Sequence, residues 1–145
     1  SVVSWSWRIV SGVFIYLVFY LTAGIILYAL YPGLMDFYEG KIPDPGVMLL
    51  TQFPRGFLFV MITILILRTS TLSLMRKAIL IGLTFSILGA IAPLIPPSEL
   101  MPANIRLVHG LEVGISNFIY GVLLSYLLQQ KNEKVVVRNE LVLNE

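Results

Sequence analysis

The chain has 145 residues, 57% of them hydrophobic and only 12% charged, with a mean hydropathy of +0.87, whereas a soluble domain carries about twice that charged fraction. A net charge of +2 provides no basic stripe to displace counterions from phosphates, which excludes nucleic acid as a partner. The absence of cysteine rules out disulfides, thiolate metal sites, iron–sulfur clusters and cysteine nucleophiles, and the single histidine supplies neither a bis-histidine haem nor a zinc cluster, so no metal and no cofactor is expected.

Ile9 to Leu30 is uncharged throughout. At about 1.5 Å per helical residue it is long enough for a hydrocarbon core of roughly 30 Å. Trp5, Trp7 and Arg8 precede it and Tyr28 and Tyr31 close it, as interfacial anchors do. The stretch is too long for the apolar region of a signal peptide and has no small-residue cleavage site after it, so it reads as a retained span. The chain begins at Ser1 rather than Met, which leaves a short preceding segment open.

The loop YPGLMDFYEGKIPDPG carries Asp36, Glu39 and Asp44 against Lys41 alone. Asp44 followed by Pro45 makes an N-cap and a first helical position, which predicts a second span from Pro45 to about Leu67. A start at Pro54 would leave too few residues to span. The earlier start places Arg55 roughly halfway across, with Pro54 as a mid-helix kink.

Arg68, Arg76 and Lys77 bracket the polar turn TSTLSL without an acidic partner. A third span over 77–95 follows. Pro93 is expected to bend its end toward the Pro96-Pro97-Ser98-Glu99 turn, and Gly82, Ser86 and Gly89 form a packing stripe along it, as Tyr16, Tyr20, Gly24 and Tyr28 do on the first span. A fourth span covers 103–128. Residues 129–145 form a tail in which apolar and charged residues alternate, a pattern that predicts a frayed or partner-bound strand rather than a domain.

Lys and Arg gather before the first span, in the second loop and in the tail, and are scarce in the first and third loops. The positive-inside rule then predicts an all-α integral membrane protein, a four-transmembrane-helix bundle with both ends on the cytoplasmic side. A bacterial or archaeal plasma membrane is the expected location, with the acidic loop folded over the opposite end.

An ionisable side chain at mid-bilayer costs about 2.5–3.5 kcal/mol on insertion scales, so each one calls for compensation. On the fourth span Arg106, His109, Glu112, Ser116, Asn117 and Tyr120 fall within an arc of about 140° at 100° per residue. Gly110, Gly114, Gly121 and Ser125 adjoin that face in G-x-x-x-G and G-x-x-x-S steps, which admit a close neighbour helix. Glu112 and Arg55 lie about nine and ten residues in from the same end of their spans, depths that match within a turn. At that depth Glu112 either pairs with Arg55 or takes a proton, and His109 is either a partner of Glu112 at i, i+3 or a donor to a neighbouring span. Thr51 and Gln52 join the predicted cluster from Arg55's side of its span. For Ser116, Thr51 and Gln52 interhelical hydrogen bonding is the simplest role, and for Arg106 an interfacial position with its head drawn toward water.

No Walker loop, H-E-x-x-H, G-x-S-x-G elbow or intramembrane aspartate pair is present, which leaves the familiar hydrolase and NTPase chemistries without residues. An intramembrane acid and base made of Glu112 and His109, with Arg55 and Arg106 on an anionic headgroup, is a minority reading, and three other functions fit what remains. The first is an accessory or assembly subunit of a larger membrane complex, or a homo-oligomer, joined through the polar and Gly-rich face of the fourth span. The second is a small proton, ion or anion transporter or channel unit built on Glu112, Arg55 and His109. The third is a lipid- or quinone-binding protein.

Overall fold

The computed structural model describes the backbone of residues 2–41, 44–91 and 101–143, and the side chains of 5–41, 44–91 and 101–129. Its elements in chain order are α1 (Val2–Leu30), α2 (Gly33–Tyr38), α3 (Pro45–Thr69), α4 (Leu74–Ser86) running into a π-helical turn (Ile87–Ile91), and α5 (Ala103–Leu143). Four helical stretches are long and apolar enough to cross a membrane: Trp5–Leu30, Pro45–Thr69, Leu74–Ile91 and Ala103–Gln129.

The four long helices run up and down in sequence. Helix α4 packs chiefly on α5, and α1 divides its contacts between α3 and α5. Outward faces are apolar on every helix: Phe14, Leu50, Met75 and Leu107 are all more than three-fifths exposed. The inside holds Gln52, Thr63, Lys77, Asn117 and Ser125 along with the aromatic core. This inversion of the usual soluble pattern is what a helix bundle set in hydrocarbon would call for.

The expected start of the second span holds. Asp44 caps α3, its Oδ1 accepting from the backbone N–H groups of Gly46 at 2.8 Å and Val47 at 3.3 Å, with Pro45 in the first turn and Pro54 inside the helix. Two other boundaries move. Helix α1 begins at Val2 rather than Ile9, because Arg8 is drawn inward, its Nη1 donating to the carbonyl of Leu127 at 3.0 Å. Helix α4 begins at Leu74 rather than at 77. Lys77 is not a flanking charge but a buried one, its Nζ donating to the Leu67 carbonyl at 3.0 Å. The tail is corrected from strand to helix. Helix α5 continues without a break to Leu143, 41 residues in all and about 60 Å long, so its last turns project beyond the bundle. Its alternating pattern does not prevail over a helix already nucleated, since each added residue contributes a hydrogen bond without a new nucleus. The predicted Pro93 bend and the Pro96-Pro97 turn lie outside the described residues.

The acidic loop folds over one end, as expected, and contains a helix that composition did not reveal. In α2 Leu34 is buried with Leu27 of α1 and Ile105 of α5, flanked by Tyr28, Tyr31, Phe37 and Val108. Tyr31 Oη accepts from Asn104 Nδ2 at 3.1 Å across the same end. Gly40, at φ +69°, turns the chain after α2 in a conformation that a side chain would oppose.

Candidate functional site

Below α2 the bundle encloses a cavity of about 480 Å³, within the range of small-molecule sites. Tyr16, Tyr20 and Tyr28 line it from α1, Leu34 and Tyr38 from α2, Gln52 and Arg55 from α3, and His109, Glu112, Ser116 and Asn117 from α5. Leu21 and Ile25 also line it while remaining exposed on the outer face of α1, so the cavity opens sideways.

Arg55 sits one residue after the in-helix Pro54. Its Nη2 donates to the carbonyl of Gly89 at 2.9 Å, and its guanidinium carbon lies 5.8 Å from the centre of the Phe59 ring. Gly89 lies in the π-helical turn, a geometry that recurs at functional sites. A Cβ on Gly89 would collide with the Asn117 amide and stand 3.2 Å from Arg55 Nη2. Only glycine lets the two side chains come this close to the turn.

The predicted pair of Arg55 with Glu112 does not form. Both line the cavity, but Glu112 Oε2 approaches His109 Nδ1 at 3.4 Å, the alternative i, i+3 contact. The alignment falls short of a hydrogen bond, and among the described residues His109 Nδ1 makes none. Arg55 reaches α4 instead, where it donates to the Gly89 carbonyl.

Other members of the predicted cluster divide. Ser116 and Asn117 line the cavity; Ser116 Oγ donates to the Val113 carbonyl at 3.2 Å and Asn117 Nδ2 to that of Phe85 at 3.4 Å. Gln52 Oε1 accepts from Tyr16 Oη at 3.2 Å. Thr51 is exposed, its hydroxyl turned back to the Met48 carbonyl at 2.7 Å. Arg106 lies apart, lining a groove between the π turn and α5 with Gly110 and Gly114. The remaining small residues serve packing within the chain. A Cβ on Gly121 would meet the Gly82 backbone at 2.9 Å, Gly114 faces Ser86 and Ala90, and Ser125 Oγ donates to the Gly121 carbonyl at 2.7 Å.

Sequence reading assigned Tyr20 and Tyr28 to packing and gave Tyr38 no part. All three line the cavity. Burial, then the neighbouring charges of Tyr28, Glu112 and Tyr20, push the Tyr38 phenol above its ordinary value, so it remains a neutral hydroxyl at physiological pH. Among the described residues no three His, Asp or Glu side chains gather at metal-binding spacing. No family model, curated protein or solved structure matches the chain.

Proposed function

We propose that this chain is a four-span membrane protein, with both termini cytoplasmic, whose cavity binds a lipid- or quinone-like amphiphile. Arg8, Arg68, Arg76 and Lys77 mark one end of the bundle and Asp36, Glu39 and Asp44 the other, the asymmetry that the positive-inside rule associates with this orientation. The observation that carries the binding reading is the make-up of the cavity. Arg55 from α3 and His109 and Glu112 from α5 share one chamber with tyrosines and aliphatic side chains, and its mouth opens past Leu21 and Ile25. A sideways opening suits a ligand that arrives through the hydrocarbon, and a few placed polar groups in an apolar wall are what orient such a ligand.

The subunit reading stands second. The small residues that motivated it, Gly114, Gly121 and Ser125, pack against α4 or within α5 of the same chain. Gentle extraction followed by native mass spectrometry tests both. A small molecule retained by the wild-type chain and lost from Arg55→Met supports binding; retention that Arg55→Met leaves unchanged counts against the cavity. A mass explained by a second polypeptide and no small molecule favours the subunit.

A further inference from the structure

A second cavity, of about 390 Å³, lies on the α4 side of the same arginine. Arg55, His109 and Val113 line both chambers, so the two abut on these side chains. Their charges differ. Glu112 belongs to the larger chamber; the smaller one, among the described residues, is lined by Arg55 and His109, by Gly89 of the π turn, and by apolar side chains including Leu88, with no carboxylate.

Arg55 has more donors than the described residues take up. A guanidinium carries five N–H groups in a planar fork, and among the described residues one hydrogen bond, to Gly89, is made. The cation stands well inside its span, where water is scarce and an unmatched charge is unfavourable. Two parallel N–H groups in a chamber with no described carboxylate fit the oxygen pair of a phosphate or carboxylate, the geometry for which arginine is better suited than lysine. The missing Cβ of Gly89 lets the Asn117 amide and the Arg55 fork come close to the π turn at the chamber's wall.

Resting on the binding reading above, we infer that the smaller chamber is an anion subsite: the amphiphile is anionic, and its phosphate or carboxylate head is bound by Arg55 and His109 on the α4 side, with its apolar part in the tyrosine-lined chamber. Glu112 then acts against the ligand's charge from the far side of the boundary and favours the head's placement away from itself.

The test uses the full chain in nanodiscs and reads lipid retention by native mass spectrometry, with phosphatidic acid as the anionic probe, phosphatidylcholine as the zwitterionic one, and inorganic phosphate as a competitor. Wild type is expected to prefer phosphatidic acid by about tenfold, the order of one hydrogen bond to a charged group. Arg55→Met is expected to erase the preference. Glu112→Gln, which removes the opposing charge at nearly constant shape, is expected to strengthen it, and this variant keeps the test open if Arg55→Met does not fold. Displacement of the lipid by inorganic phosphate assigns the subsite to the free anion, and failure to displace it assigns it to the lipid-borne head; either supports the subsite. Equal retention of both lipids by wild type overturns the anion subsite while leaving amphiphile binding intact, as does a preference lost in Glu112→Gln. Retention of neither lipid overturns both.

Discussion

The two halves of this bundle are built from the same four helices on opposite principles. Toward the α3–α4 turn the helices close on one another. Tyr120 is fully buried, its ring centre 5.3 Å from that of Tyr16 and 6.0 Å from that of Phe85, and Phe85 stacks on Phe59 at 4.3 Å. Gly121 brings α5 against the Gly82 backbone of α4, and the cations Arg8 and Lys77 are drawn onto main-chain carbonyls. Toward α2 the helices stand apart around two chambers, with a proline inside α3 and a π turn in α4. Cations in both halves lean on main-chain carbonyls, but in the open half Arg55 also lines a chamber. The aromatic cluster is the floor of the chamber, since Tyr16 belongs to both.

The sharpest way to break this contrast is to pry the packed half open. Gly121→Val would drive a branched side chain into the Gly82 backbone, and a loss of about 3 kcal/mol or more is expected, at the upper end of overpacking costs. Unfolding in detergent should show it as a large fall in midpoint. A midpoint near wild type would mean that the α4–α5 approach does not hold the bundle.

Gly89→Ala tests the open half with one methyl. Its Cβ would press on Asn117 and Arg55, and about 2 kcal/mol should be lost together with ligand retention. Preserved retention with lowered stability would separate the π turn from binding. Asp44→Ala removes the α3 cap, for which about 1 kcal/mol is typical, read in the same unfolding experiment; no change would show that Pro45 and packing suffice to start the helix. The smallest effect on stability is expected from Arg55→Met, within about 1 kcal/mol of wild type, because an apolar isostere avoids the burial of a charge. Its expected effect on ligand retention is the largest of the four. A steep loss of stability instead would make Arg55 a structural strut.

Local chemistry determined much of this protein in advance. Runs of apolar residues long enough to cross a bilayer, the Asp44-Pro45 start of α3, and hence the depth of Arg55, follow from hydrophobic length and from what proline and a capping carboxylate do to their immediate neighbours. The i, i+3 approach of His109 and Glu112 is equally local, a matter of one helical turn.

The tertiary structure decided which residues share a chamber. Composition left α2 hidden, because a helix of six residues is held by burying Leu34 against α1 and α5 rather than by its own propensity. Nor does a one-dimensional pattern show whether Tyr20 and Tyr28 pack against a helix or face a cavity, since both uses place an aromatic on the same stripe. The partner of Arg55 was settled by the relative rotation and spacing of α3, α4 and α5, which depend on glycine contacts far apart in the chain. Depth in the membrane is a property of one helix, readable from its sequence, while the question of which carbonyl or carboxylate a side chain meets at that depth is answered only when the helices pack.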